Sequence, residues 1–325
     1  MPKQIAADCN LAMEAVRVTE AAALAASLFM GCGDEKAADQ AAVDAMQAAL
    51  SSLTINGTVR IGEGREGEAG KLYVGEKVGT GEGTKTSVAI VPLEGKSIVA
   101  RGGPNAVSVI AMAEVGGFLS VPDIYMEKIA IGPGLPDGVV GLNASVADNL
   151  NNLAAAKGIG VADLVVCLLD RPRHGQLVSQ IRDVGARIRL ILDGDVAGVI
   201  AAVQADSGVD IYMGIGGAPQ GVLAAAGLRG VGGQMQGRLV LRNGDERAAA
   251  QAAGIDDLER TYSIDEMATG NITFAATGVT YGALLKGVRT VPGGAITHSM
   301  VVRSVTGTLR YIEAHHDFSR QPRYG

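Results

Sequence analysis

Residues 163–193 read DLVVCLLDRPRHGQLVSQIRDVGARIRLILD, and their pattern decides the fold. The opening DLVVCLLD is an apolar run of strand length, bounded by acids. In HGQLVSQIRDVG the apolar residues then recur at three- and four-residue spacing, the period of a helix. RIRLILD returns to strand. The alternation continues with VAGVIAAVQA (196–205) as helix, VDIYMGIGG (209–217) as strand and PQGVLAAAGLRG (219–230) as helix. Strands separated by single helices predict a parallel sheet with helical crossovers.

Working outward, SVADNLNNLAAAKGI (145–159) reads as a helix and as a junction. We therefore expect two domains: an α+β domain over 1–155 and an α/β domain over 156–325. Toward the N-terminus, residues 10–33 have helical periodicity and stop at a Gly pair. Residues 34–53 form a second helix with Asp34 as N-cap. A short strand then runs into the Gly/Glu loops of 54–83. SVAIVPLEG (87–95) reads as a strand closed by a PLEG turn, and SIVARG (97–102) as another strand. NAVSVIAMAEVGG (105–117) fits either state.

Composition narrows the class. Of 325 residues, 47% are apolar but only 3% aromatic, so Ala, Val, Ile and Leu must build the core. The net charge is −6 with no run of one sign, which offers no basic stripe for nucleic acid. Three cysteines, Cys9, Cys32 and Cys167, lack metal-site spacing and fit a reduced, cytoplasmic setting. No 18-residue apolar run or leader pattern points to a membrane.

Three motifs fall at carboxyl ends of predicted strands, where open α/β sheets bind ligands. GIGGAPQG (214–221) opens a helix, whose first amides favour an anion. DRPRHG (170–175) offers Arg171 and Arg173 as a fork for phosphate. DGD (193–195) supplies two acids. Together they predict a phosphosugar site. The N-terminal half contributes Asp39, Glu63 and Glu94, hard oxygen ligands of the kind divalent cations take alongside substrate phosphate. His174, His298, His315 and His316 show no metal-ligand spacing.

RVTEAAALA (17–25), NGTVRIGEG (56–64), LYVGEKVGTG (72–81), PDIYMEK (122–128), RPRH (171–174), DGDVA (193–197), GIGGAPQG and ATGVTYG (276–282) occur in one order along the chain. On these stretches the chain resembles the class II fructose-1,6-bisphosphatases of the GlpX type. The resemblance implies a layered α-β-α-β-α sugar-phosphatase fold, similar to the inositol monophosphatase superfamily. It also implies divalent metals, a homodimer or homotetramer, and removal of the 1-phosphate from fructose 1,6-bisphosphate, or in some members hydrolysis of sedoheptulose 1,7-bisphosphate.

By position, the family's metal carboxylates fall on Asp39, Glu63, Val91, Glu94 and Gln220, so two of the five are not acids here. The family's DPxEGT reads VPLEGK, which puts Lys96 where a threonine positions the attacking water. Arg65 and Gly67 replace two further acids. Substrate contacts carry over to Glu94, Gly95 and Lys96, to Tyr125, to Arg171, Pro172 and Arg173, to Asp193, Gly194 and Asp195, and to Gly217. This pattern predicts a sugar-phosphate binder with at most one weakly held Mg²⁺ or Mn²⁺ on Asp39, Glu63 and Glu94, and weakened hydrolysis involving Glu94, Lys96 and Arg65. The alternatives are a catalytically silent regulatory paralogue, or a lyase or isomerase using a desolvated Lys96.

Overall fold

The structure is a computed structural model and describes residues 11–320. Cys9 lies outside the described residues. Two compact units emerge, Met1–Phe118 with Thr269–Gly325, and Leu119–Ala268. The expected single cut near residue 155 therefore becomes two crossings. The reason is strand pairing: Tyr125–Ile131 joins the second unit's sheet, and the strands after residue 271 return to the first. Among the described residues no helix is long and apolar enough to cross a membrane.

The first unit holds an eight-stranded sheet with two long helices, α1 (Leu11–Ser27) and α2 (Glu35–Ser51). Its strands are β1 (Ile55–Ile61), β2 (Lys77–Val78), β3 (Thr84–Glu94), β4 (Val107–Ala113), and, after the second unit, β11 (Ile272–Gly278), β12 (Arg289–Val291), β13 (Gly294–Arg303) and β14 (Thr308–Asp317). The order is β12-β13-β11-β4-β3-β1-β2, with β14 paired to β13. The scarcity of aromatics shows in the core. Ala15, Ala22, Ala23 and Ala26 of α1 are fully buried beside Met46, Leu50, Ile90 and Ile110. Asp34 caps α2 as expected, its Oδ1 accepting from the Ala37 amide at 3.0 Å.

Two expectations near residue 95 fail. The strand does not turn at PLEG; β3 runs on through Pro92 and Leu93 to Glu94, with a register break against β4 after Val91. SIVARG is not a strand but most of a short helix, α3 (Lys96–Arg101). Left-handed glycines bound it on both sides, Gly95 at φ 95° and Gly102 at φ 69°. Six residues with three buried apolar side chains carry too little periodicity to tell the two states apart. NAVSVIAMAEVGG resolves as strand β4, buried along its whole length.

The second unit contains β5 (Tyr125–Ile131), α4 (Val146–Lys157), β6 (Val165–Leu169), α5 (Gly175–Val184), β7 (Arg187–Ile191), α6 (Asp195–Ala201), β8 (Ile211–Gly217), α7 (Ala218–Val231), β9 (Gln234–Val240), α8 (Gly244–Ala252), β10 (Thr261–Ser263) and α9 (Ile264–Met267). The alternation read from 163–230 holds element by element. The sheet order is β10-β9-β5-β8-β6-β7. β7, β6 and β8 are parallel as predicted, but β5 runs antiparallel to both β8 and β9, so the sheet is mixed. One consequence matters for function. The carboxyl ends of β6, β7, β8 and β9 and the amino end of β5 share one rim, because Tyr125 stands opposite both Gly217 and Val240.

Candidate functional site

The predicted phosphosugar residues gather on that rim. Tyr125 opens β5. Arg171, Pro172 and Arg173 follow β6, the last two inside the single 3₁₀ turn Pro172–His174. Arg173 is exposed, and its Nε and Nη2 donate to the carbonyl of Ile215 at 3.0 and 2.7 Å. Its guanidinium also lies 4.7 Å from the centre of the Tyr125 ring, within cation–π range. Beside it His174 is buried and stitches β6 to β8. Its Nδ1 lies 2.7 Å from the Leu169 carbonyl, and its Nε2 accepts from the Ile215 amide at 2.8 Å. That pattern assigns the neutral tautomer protonated on Nδ1. Burial, with the two nearby arginines, pushes its pKa down despite the bond to Leu169.

Asp193, Gly194 and Asp195 follow β7. Gly194 adopts φ 87° and its amide donates to Asp193 Oδ1 at 3.0 Å. Arg171 Nη2 stands 4.0 Å from the same carboxylate. Asp195, by contrast, is buried and paired with Lys128, a residue that the sequence reading passed over. The Lys128 ammonium is fully enclosed and also donates to the Gly217 carbonyl at 2.9 Å. It thereby ties the 193–195 turn to the end of β8. The glycines of GIGGAPQG make room for it. A Cβ on Gly216 would strike Asp195 Oδ2 and approach Lys128 Nζ to 2.9 Å, and one on Gly221 would meet Lys128 Cδ at 3.2 Å. The signal in the sequence was a lone lysine inside the strand YMEKIAI.

The helix-start reading of GIGGAPQG is only partly realised. Of the first donors of α7, the Ala218 amide already bonds the Ile124 carbonyl at 2.8 Å, and Pro219 has none. Gln220 folds its side-chain oxygen back against Gly217, where any Cβ would collide with it. On this rim, charge for an anion comes from arginines more than from the helix start.

In the first unit the predicted acids behave differently. Asp39 lies one turn beyond Glu35 on α2, and Lys96 opens α3; Lys96 Nζ reaches Asp39 Oδ2 at 3.2 Å. Glu63 sits in the loop after β1, where its amide donates to the Leu72 carbonyl at 3.0 Å. Burial, reinforced by the Asp39 charge and opposed by Lys96, pushes the Glu63 pKa up to about 7. For Lys96, burial alone would lower the pKa, but Asp39, Glu63 and Glu35 outweigh it and raise it. Lys96 therefore stays an ammonium at neutral pH. The desolvated amine that a lyase reading needs is not what this environment produces.

Arg65 is exposed in the same loop, where its amide bonds Glu68 Oε2 at 3.2 Å. Glu94 ends β3 and is buried, while Val91 is half-buried opposite Val109. Among the described residues no group of three or more His, Cys, Asp or Glu side chains gathers as a metal set. The charges of Asp39 and Glu63 both act on Lys96. An acid paired with an ammonium has less charge to offer a divalent cation, which takes several anionic oxygens, than an unpaired one.

Comparison with known proteins now bears on this geometry. The family model described as "Bacterial fructose-1,6-bisphosphatase, glpX-encoded" matches residues 9–316. Fructose-1,6-bisphosphatase 1 class 2 of Escherichia coli (strain K12) is 42% identical over 326 aligned positions, covering 96% of each chain. Fructose-1,6-bisphosphatase class 2 of Shigella flexneri matches to the same extent. The chain belongs to the class II fructose-1,6-bisphosphatase family. Membership places it among sugar bisphosphatases with a mixed α/β fold, a family whose members depend on divalent metals.

The stretches read above as substrate contacts lie together on the rim of the second unit, held by backbone carbonyls and a buried ion pair. In the first unit Lys96 is paired with the acid Asp39.

Proposed function

We propose that this protein binds a ketose phosphate or bisphosphate, such as fructose 1,6-bisphosphate or sedoheptulose 1,7-bisphosphate, on the rim formed by Tyr125, Arg171 to Arg173, Asp193 to Asp195 and Gly217. Metal-dependent hydrolysis of the phosphate ester is weak. The observation that carries this reading is the contact of Lys96 Nζ with the Asp39 carboxylate at 3.2 Å. An ammonium there occupies an acid that a divalent cation would need, and repels the cation besides. A lysine held protonated also cannot position a nucleophilic water as a threonine hydroxyl does. The Tyr125 ring and the Arg173 guanidinium serve binding, fixing a phosphate through donors already held in place. A homodimer or homotetramer belongs to the same reading and is checked by light scattering.

Phosphate release from fructose 1,6-bisphosphate at saturating Mn²⁺ tests this directly. Turnover should fall well below roughly 1 s⁻¹, the low end of ordinary enzyme rates. A rate inside the range of about 1 to 10³ s⁻¹ would overturn it. A second reading, a silent binder with a regulatory role, is favoured by the same Lys96–Asp39 contact; ligand binding without any phosphate release would establish it. The third, a Lys96 Schiff base, predicts trapping of a ketose phosphate by borohydride, and the raised pKa of Lys96 counts against it.

A further inference from the structure

Leu28 and Tyr281 are the most exposed large apolar side chains among the described residues, at 75% and 74%. Neither belongs to the rim or to the acids beside Lys96. Leu28 follows α1, and Tyr281 stands in the ATGVTYG stretch just past β11.

The fold brings both to the carboxyl end of α3. Past Leu28, the Gly31 and Gly33 amides donate to the Val99 and Ala100 carbonyls at 2.9 Å each, and a Cβ on Gly102 would lie 3.7 Å from Gly31 Cα. Three residues beyond Gly102, the Asn105 amide donates to the Tyr281 carbonyl at 2.9 Å. Three residues span at most about 11 Å. Between them Pro104 is exposed, and Met30 is exposed beside Gly31. Leu28, Met30, Pro104 and Tyr281 thus share one apolar patch of the first unit. Single exposed apolar residues need no explanation; a patch of them marks a surface that another molecule covers.

The backbone under Tyr281 is pinned. Asn105 holds φ at 78°, a conformation uncommon outside glycine, and its Oδ1 accepts from the Ala283 amide at 2.9 Å. A Cβ on Gly282 would come within 2.8 Å of Asn105 Oδ1, and one on Gly287 within 2.4 Å of the Thr280 carbonyl carbon. A strained residue kept in place by its surroundings points to a surface with a task. A ring carried on fixed backbone also loses little freedom on docking.

Charge selects the occupant. On the Leu28 side the exposed acids Asp34 and Glu35 outnumber Lys36. On the Tyr281 side Arg101 and Lys286 are exposed, the latter 4.0 Å from Glu313. A two-fold axis through the patch sets the basic side of one copy against the acidic side of the other. An apolar centre with a charged rim is the layout of a protein interface.

We propose that this patch is an isologous interface between two copies of this chain, in which Tyr281 of one copy packs on Leu28 and Met30 of the other and Arg101 faces Glu35. This rests on the homo-oligomer reading above and gives it a surface.

The test is sedimentation velocity of the full chain over a dilution series from micromolar to nanomolar protein. Leu28→Glu combined with Tyr281→Glu should weaken self-association at least about tenfold, the scale of a lost hot spot, with the thermal midpoint of the dissociated chain unchanged. Should that variant fail to fold, Tyr281→Ser carries the test, with a smaller loss in the same direction. Arg101→Glu should also weaken association, and adding Glu35→Arg should restore it, a rescue that a merely damaged fold does not give. If the wild type associates and the folded apolar variants associate equally well, or the double charge reversal gives no rescue, this inference is overturned and the oligomer reading stands. If the wild type is a monomer throughout, both fall, and the sugar-phosphate reading is untouched.

Discussion

Arg173 and Lys96 are both cations at candidate sites, yet their partners differ in kind. Arg173 is held by the neutral carbonyl of Ile215 and by the face of Tyr125, so its charge is fixed in place and left uncancelled. Lys96 is held by the Asp39 carboxylate, so the two charges cancel each other. On the reading proposed above, the first arrangement meets an anion from outside. The second consumes an acid that a cation from outside would need. A lysine, an arginine and an acid can thus be equally legible as residues and still have opposite consequences, because what matters is which group satisfies them.

Lys128 adds a third case, an ion pair with Asp195 out of reach of solvent. Removing one partner of a buried pair leaves the other as an uncompensated charge. Lys128→Met should therefore give the largest effect, a loss of about 3–5 kcal/mol in denaturant unfolding. A loss under 1 kcal/mol would mean that Asp195 finds water or another donor, and that the rim is not held from below as described.

Next in size is the rim itself. Arg173→Ala should weaken fructose 1,6-bisphosphate binding by about 1.5–3 kcal/mol, the worth of a hydrogen bond to a charged group. Titration calorimetry reads it. Unchanged affinity would dissolve the contrast with Lys96, since Arg173 would then be a structural tie to β8 and no more.

The acidic cluster can be sharpened from within its own unit. Val91→Asp combined with Lys96→Thr returns one acid and releases Asp39 from its ammonium. Mn²⁺ should bind at least about tenfold more tightly, since each unit charge at 4 Å is worth roughly 1–4 kcal/mol. If the double variant holds Mn²⁺ no better, the obstacle is the shape of the β3 bulge and not its charge.

A further effect is one of pH. The Glu63 carboxyl titrates at about 7 in the folded protein against an ordinary value of 4.5. The folded state thus holds a proton that the unfolded chain has released. Its stability contribution is intact below pH 4.5 and is lost as pH rises to about 7. Glu63→Gln should cancel that slope, so unfolding curves of variant and wild type should part only above pH 4.5. Parallel curves across the window would place Glu63 in water, apart from Asp39.

How much of this was legible depends on the range of the forces involved. The N-cap Asp34, and the strand–helix order of 163–230, were readable because a cap and a period involve residues three or four apart. The short run SIVARG was misread because six residues hold less than two turns, and two left-handed glycines settled its state. Asp195 was read as a ligand residue on the strength of its motif, and Lys128 beneath it was not read at all.

By itself, then, the sequence determined the local elements, the α/β class and the stretches shared with the class II bisphosphatases, all of which depend on near neighbours or on order along the chain. Only the tertiary structure decided that β5 enters the second sheet and β11 returns to the first, that Arg242 joins Tyr125, and that Lys96 closes on Asp39. Those outcomes depend on strand register and on the partner each charge meets across 57 to 117 positions of chain, which no local period encodes.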